Sequence, residues 1–454
     1  MASDSAIVRY YNKIKLAGDA CKPDSGRPSA ESGFVPDYSL PTLDRQLIDF
    51  FDVAKIELYR LGDYLGRNIK LLNLSGNPRT RTTKTFASLV MVARAIAHIR
   101  ATGESVLIVT PTSGNKGGAL RDAVARAIEC KIIEPHQLRI AIVVPKAGLS
   151  KLWSSSLSED PVLRRLNPVF SVEAEDGALV KQITRAFVHE NSQYLKENLG
   201  LTLWHTYDLN NYRMADAVRA FFELDHLGPA RAEKMRVQAQ AVSSAFGLLG
   251  HQFGLEVLSD MGVDIGKSRQ WLLVQHLGTP DLVLDLLSRE CLPEYEFDSD
   301  TGLYTQATSP FFPARTYQVN EIIDSTFYSR NPMTRDLIRE ILSEQGGSGI
   351  VVSLYECLHR YPVLRKILAE TGLSLPADPR DLREWSMTMV LTGVLNAIDR
   401  NLVPRNSEIV VHVTGSYGSQ DFTVLPGSYV QCIAGPADVR RSLVEATGPA
   451  HLAA

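Results

Sequence analysis

The sequence predicts an α/β protein with largely parallel sheets, and two observations predict it. First, short apolar runs recur at residues 105–110 (SVLIVT), 139–145 (RIAIVVP), 271–277 (WLLVQHL), 349–354 (GIVVSL) and 408–414 (EIVVHVT). They are nearly continuous rather than alternating, the pattern of strands covered by helices on both faces. Second, helical periodicity fills the intervals between them. Phe86, Leu89, Val90, Ala93, Ile96 and Ala97 line one face after Lys84, and Ala119, Leu120, Val124, Ala127 and Ile128 do so after Asn115. Strands alternating with amphipathic helices pair in parallel, because the helix carries the chain back to the starting edge of the sheet.

Size and charge narrow the class. The chain has 454 residues, 44% of them hydrophobic, enough for a large core and for two domains. A formal net charge of -3 gives no electrostatic reason to expect nucleic acid, whose phosphates select a basic face. Five scattered cysteines (Cys21, Cys130, Cys291, Cys357 and Cys432) form no CxxC pair. They fit a reducing compartment and small buried apolar positions, and argue against a disulfide framework or a metal site. The first fifteen residues lack the apolar segment of a signal peptide, and no run of about 18 apolar residues offers a membrane span. A cytoplasmic protein with no membrane partner is expected.

Composition divides the chain further. Residues 1–45 mix Ser, Pro, Gly and charge and read as a partly disordered arm, with CKPDSGRPSAESG at its centre. Residues 293–313 read as a long irregular loop, and 436–454 as an Ala-rich tail.

Four turns at strand ends carry the chemistry, since ligands bind at the carboxyl ends of strands in open α/β sheets. The first, NLSGNPRTRTTK, puts Lys84 at a helix start, where the helix dipole favours anions. Lys84 is therefore either a solvated surface lysine or a desolvated amine able to form a Schiff base. In the second, Thr112, Ser113, Gly114 and Asn115 offer hydroxyls and backbone N–H groups to a carboxylate or phosphate, or form only a tight capped turn. In the third, Gly278 and Thr279 follow His276, itself a packed histidine or a catalyst. In the fourth, Thr414 and Gly415 end a strand, and the Thr414 hydroxyl could meet a neutral heterocyclic nitrogen. Arg79 and Arg81 beside Lys84 are either solvated charges or oxyanion ligands.

In order and spacing these segments resemble the fold-type II pyridoxal-phosphate enzymes, the tryptophan-synthase-β group, nearest to its threonine synthase and cysteate synthase branch. Asn77, Pro78, Thr80 and Lys84 match the motif whose lysine bonds the cofactor, and Thr112 to Asn115 match a TSGN turn. His276 to Pro280 loosely match the phosphate loop, and Thr414-Gly415 match the terminal TG. The resemblance runs from about Leu58 to Phe422. It implies two three-layer α/β/α domains with the cofactor in the cleft between them: residues 46–104 with 215–435 as the large domain and 105–214 as the small one.

The resemblance also implies roles. Lys84 would bond pyridoxal 5'-phosphate and then serve as acid and base at Cα. Asn115 would face the phenolic oxygen, Gly278 and Thr279 the phosphate, and Thr414 the ring nitrogen. Thr112, Ser113, Gly114 and Arg81 would hold a small amino-acid substrate. A hydroxyl at the ring nitrogen keeps the pyridine mostly neutral, which suits elimination or replacement at Cβ or Cγ of a small, O-phosphorylated or unmodified, amino acid. True threonine synthase acting on O-phosphohomoserine is the alternative, and a catalytically inactive binding subunit is a third reading. Relatives of this kind are commonly homodimers. The sequence departs from the pattern at Arg79, Arg81, Thr82, Thr83, Thr85 and Phe86, and at Lys116, where a small or hydroxyl residue is usual. A dinucleotide-binding fold is disfavoured because no GxGxxG follows the first strand.

Overall fold

The computed structural model describes residues 5–22, 33–173, 177–206 and 208–447. Two sheets organise it. The larger has six strands in the order β1-β2-β10-β7-β8-β9, where β1 is Glu57–Tyr64, β2 Arg67–Asn73, β7 Arg236–Ala241, β8 Arg269–His276, β9 Gly347–Val352 and β10 Glu408–Val413. Only β1 runs antiparallel, joined to β2 by a tight turn; every other neighbour pair is parallel. The smaller sheet has five parallel strands in the order β11-β5-β4-β3-β6, with β3 at Ser105–Pro111, β4 at Leu138–Pro145, β5 at Val169–Val172, β6 at Leu201–His205 and β11 at Val430–Cys432. The α/β class with mostly parallel sheets is as the sequence predicts.

The inner strands of both sheets are covered on both faces, which is why most of them are largely apolar. In β3, Val106 and Ile108 pack with Phe86, Val90, Leu120 and Val124, while Leu107 and Val109 pack with Ile183 and Phe187 on the opposite face. In the larger sheet, Val237, Ala239, Leu272 and Val274 meet Met389, Val390 and Val394 of the helix Ser386–Asp399, and Trp271 and Leu273 meet Leu248 and Leu249 behind them. Each fully buried Leu or Val contributes roughly 1.5–3 kcal/mol.

Several expected boundaries differ. The supposed arm begins with helices Ala6–Arg9 and Tyr11–Ala20, whose Ile7, Tyr10, Ile14 and Ala17 are buried in the main core. Apolar residues spaced for a helix face outweigh the polar composition around them; residues 23–32, the middle of that stretch, lie outside the described residues. The loop at 293–313 contains a small antiparallel sheet, Glu296–Asp298 with Leu303–Thr305, completed by Arg315–Thr316. Residues 430–432, expected in the large domain, form the edge strand of the smaller sheet, and the helix Pro436–Thr447 buries Val439 and Leu443 against it. The end of the expected tail, 448–454, lies outside the described residues. Cys21 and Cys357 are buried, but Cys291 and Cys432 are exposed. Among the described residues no helix is long and apolar enough to cross a membrane.

Candidate active site

The carboxyl ends of β2, β3, β7 and β10 face one cavity of about 180 Å³. The chain leaving β2 makes a tight turn in which the Asn77 carbonyl accepts from the N–H groups of Thr80 (3.3 Å) and Arg81 (2.8 Å). It is then stitched to the end of β10: Thr83 N–H donates to the Thr414 carbonyl at 2.8 Å, and Ser416 N–H donates to the Arg81 carbonyl at 3.1 Å. This fixes the start of the helix Lys84–Thr102, so Lys84 and Thr414 both line the cavity. Thr82 lines it too, and its Oγ1 is buried with no hydrogen-bond partner.

Lys84 is held below the ordinary lysine pKa. Burial is the main cause and the Arg219 guanidinium adds to it, while the carboxylates of Asp216 and Glu384 oppose it. Its Nζ lies 5.6 Å from the centre of the Tyr212 ring. A neutral amine is thereby favoured where a nucleophilic lysine needs one.

Facing it, β3 ends in the Thr112–Asn115 turn and the helix Asn115–Glu129. At the start of that helix Thr112 Oγ1 accepts from the N–H groups of Gly114 (3.0 Å) and Gly117 (2.8 Å). Gly114 has φ 134°, and a Cβ there would stand 2.9 Å from Lys151 Cβ, so the turn requires glycine. Asn115 is oriented from two sides. Its Nδ2 donates to Glu384 Oε2 at 2.6 Å, and its Oδ1 accepts from the Tyr417 hydroxyl at 2.7 Å. A carboxylate can only accept, so Glu384 decides which end of the amide is nitrogen. Glu384 is in turn balanced by Lys151, which lies 3.3 Å from it and 2.6 Å from Asp324. Burial alone would lower the Lys151 pKa, but Glu384 and Asp324 raise it and keep the amine charged.

The remaining wall was not foreseen from the sequence. β7 (RVQAQA) has too many polar residues to read as a strand, yet Gln238 and Gln240 are buried. The turn after it, Val242 to Gly247, lines the cavity and opens the fifteen-residue helix Phe246–Asp260. Ser243 and Ser244 supply hydroxyls there, and of the first N–H groups of the helix those of Leu248 and Leu249 donate to the Ala245 carbonyl, which leaves those of Phe246 and Gly247 for an anion. Beneath it lies Arg219, 1% exposed, donating to Asp216 Oδ1 (2.9 Å), Gln240 Oε1 (3.1 Å) and Thr83 Oγ1 (2.8 Å). A Cβ on Gly247 would stand 2.5 Å from that guanidinium. The available signal was the polar VSSAFG turn directly before an apolar helical run.

Of the residues singled out from the sequence, Lys84, Thr112, Ser113, Asn115 and Thr414 line the cavity, while Gly114, within the turn, packs against Lys151 instead. Gly278, Thr279 and Arg81 do not line it. Gly278 N–H donates to His276 Nδ1 (3.2 Å), and Thr279 Oγ1 donates to the Phe327 carbonyl (2.8 Å). That turn supports the Thr326–Ser329 segment of the cavity wall from behind, so its polar groups are already committed. Arg81 forms an ion pair with Asp421 at 2.8 Å; Arg79 pairs with Glu129 at 2.8 Å. Behind the cradle, Glu223, His251 and His412 bring ligand atoms within 4.8 Å of one another. Glu223 already accepts from His251 (2.7 Å), Gln238 (2.8 Å) and Arg236 (2.9 Å), so the Arg236 guanidinium rather than a metal ion balances its charge.

A family model described as "Family of unknown function (DUF6002)" matches residues 2–447. The chain belongs to that family. No curated protein matches it. Among solved structures it is similar to a pyridoxal-phosphate-bound threonine synthase from Brucella melitensis, at 15% identity and a TM-score of 0.51, covering 96% of this chain and 89% of that one. It is also similar to the yeast threonine synthase, at 12% identity and a TM-score of 0.49 over 88% of this chain and 83% of that one. The DUF6002 chain thus has the two-sheet fold of the fold-type II pyridoxal-phosphate enzymes.

Proposed function

We propose that this protein is a pyridoxal-phosphate-dependent enzyme that eliminates or replaces a group at Cβ or Cγ of a small amino acid. The observation that carries the reading is the meeting of a desolvated Lys84 amine with the Asn115 turn, the Thr414 strand end and the Ser243–Gly247 cradle around one cavity. The residues fit the cofactor. Its phosphate suits the helix-terminal N–H groups and hydroxyls at Ser243 to Gly247, with Arg219 beneath, in place of the Gly278-Thr279 turn. Asn115 has a second N–H to give to the phenolic oxygen, Thr414 supplies a hydroxyl at the ring nitrogen, and Thr82 Oγ1 awaits a partner. When bound, the cofactor supplies an electron sink for charge developed at Cα. Lys84 holds it and then moves the proton at Cα, while Thr112 and Ser113 orient the substrate carboxylate.

The test is reconstitution. Protein incubated with pyridoxal phosphate should acquire the absorbance of lysine-linked cofactor, Lys84→Ala should not, and borohydride should fix the label on Lys84. Protein that stays colourless and unlabelled would leave only a binding or assembly role. The likeness to a threonine synthase over nearly the whole chain favours threonine synthesis from O-phosphohomoserine as the second reading; threonine release from that compound distinguishes it. A cytoplasmic homodimer is the accompanying expectation, checked for mass by sedimentation.

A further inference from the structure

Lys116 stands one residue after Asn115, on the helix that leaves the smaller sheet, and lines the cavity. A second amine thus shares the cavity with Lys84, and the two arrive from different sheets: Lys84 from the segment stitched to β10, Lys116 from the turn after β3. Both approach one ring, with Lys84 Nζ 5.6 Å and Lys116 Nζ 5.9 Å from the centre of Tyr212. Lys116 Nζ also donates to the Thr206 carbonyl at 3.3 Å, which orients the amine but brings it no negative charge.

The charged and titratable groups around it are Lys84, Lys181 on the helix Gly177–Leu199, His205 at the end of β6, and the cavity carboxylates Asp208, Asp216 and Glu384. Lys84 and Lys181 are cations and oppose a third positive charge. His205 is held down to about 4, by burial first and then by Lys116 and Arg185, so it stays neutral. The carboxylates are engaged as acceptors: Asp216 from Arg219 at 2.7 Å, Glu384 from Lys151 and Asn115, and Asp208 from Asn210 N–H at 2.9 Å and the Tyr38 hydroxyl. Burial, Lys84 and Lys181 together bring the Lys116 pKa down to about 7. The amine is then present in both forms near neutral pH, the condition for giving a proton and taking one back.

Removing a group from Cβ moves two protons. One leaves Cα, and Lys84 takes it on the proposed reading. The other must reach the departing group whenever that group is a poor anion such as hydroxide. A carboxylate that already accepts hydrogen bonds has no proton to give, and among the described residues no histidine lines the cavity. Lys116 is the other amine on the wall.

We infer that Lys116 is a second catalytic amine, the acid that protonates the departing group and the base that receives the proton of an incoming nucleophile. This rests on the proposed function. The step balances. Lys84 takes the Cα proton, and the electron pair of that bond forms the Cα–Cβ double bond. The pair of the Cβ–O bond leaves with oxygen, which takes a proton from the Lys116 ammonium and departs as water. In a replacement, the nucleophile bonds to Cβ and gives its proton to the Lys116 amine, while Lys84 returns the proton at Cα.

The test compares leaving groups. Holoprotein is assayed for elimination from L-serine against O-acetyl-L-serine, and from L-homoserine against O-acetyl-L-homoserine. Acetate departs as a stable anion and hydroxide does not, so only the hydroxy substrate needs the acid. In whichever pair reacts, Lys116→Met should lower kcat about a hundredfold or more for the hydroxy substrate and less than about tenfold for the ester. Lys116→Gln, which keeps a polar side chain, should behave alike. In the wild type the hydroxy-to-ester rate ratio should fall as pH rises through about 7, and in both variants it should be flat. Equal loss for the two substrates, or a rise in KM alone, would overturn the role and leave Lys116 as a residue that only holds substrate.

A second measurement needs no cofactor. Competitive labelling of the cofactor-free protein with trace acetic anhydride should give Lys116 a reactivity midpoint near pH 7, against ~10.4 for an exposed lysine. A midpoint near the exposed value would also overturn the role. The two failures look different: an active holoprotein whose rate ratio ignores Lys116 sinks this inference alone, whereas protein that forms no lysine-linked cofactor, or eliminates from neither pair, sinks the proposed function and this role with it.

Discussion

The backbone N–H of Thr83 donates to the carbonyl of Thr414 at 2.8 Å, tying residues more than three hundred positions apart in the chain. This one bond sets the helix start that carries Lys84 against the strand end proposed to meet the cofactor ring. Because both partners are main-chain atoms, the relationship depends on the register of β2 beside β10, where Ile69 pairs with Ile409 and Asn73 with Val413.

Gly247→Ala tests the cradle. The added Cβ would meet the Arg219 guanidinium at 2.5 Å, and that side chain is enclosed by Asp216, Gln240 and Thr83. Displacing it should weaken pyridoxal phosphate about tenfold or more, at a stability cost of about 1–3 kcal/mol. An absorbance titration gives the first figure and urea unfolding the second; unchanged cofactor affinity would place the phosphate elsewhere.

Glu384→Gln tests the orientation of Asn115. The amide can present nitrogen or oxygen to Asn115, so the fixed acceptor is lost and Lys151 keeps only Asp324. A loss of about 1–3 kcal/mol is expected, as when a buried hydrogen-bonded charge loses its partner. Thermal melts of the cofactor-free protein measure it, and a melt identical to wild type would show that Glu384 is dispensable for this geometry.

Stability of the cofactor-free protein should rise with pH. Lys116 has a folded pKa of about 7 and Lys84 is also lowered, whereas an unfolded lysine titrates near ~10.4. Between these values the unfolded chain binds more protons than the folded one, so each step up in pH favours folding. The contribution is unfavourable in full below about pH 7 and is relieved by about pH 10. Urea midpoints across this window should climb less steeply in Lys116→Met than in the wild type; equal slopes would mean that Lys116 is not desolvated.

Thr82→Val tests the orphaned hydroxyl. With no protein partner for Oγ1, the replacement should leave the cofactor-free protein as stable as wild type or slightly more so. It should weaken cofactor binding several-fold if that hydroxyl is a ligand. Parallel melts with and without pyridoxal phosphate separate the two effects.

Much of the fold is legible in local sequence. The five apolar runs expected as strands all lie in the two sheets, because a strand buried on both faces favours apolar residues at most positions. β7 escaped because Gln238 and Gln240 find buried partners only in the folded chain: Gln238 donates to Glu223, and Gln240 accepts from Arg219. The N-terminal helices escaped because local polar composition obscured Ile7, Tyr10, Ile14 and Ala17, whose burial is a tertiary fact.

For the site, the sequence by itself determined the order of Lys84, the Thr112–Asn115 turn and Thr414, each at a strand or helix end whose chemistry is local. Tertiary structure decided the rest. It set Gly278-Thr279 behind the wall and brought the Ser243–Gly247 turn to the cavity instead. It also placed Glu384, Asp216 and Arg219 within reach of Asn115 and Lys84. The physical reason is that hydrogen-bonding capacity belongs to a residue type, whereas desolvation and the neighbours that shift a proton's affinity exist only once distant segments are packed together.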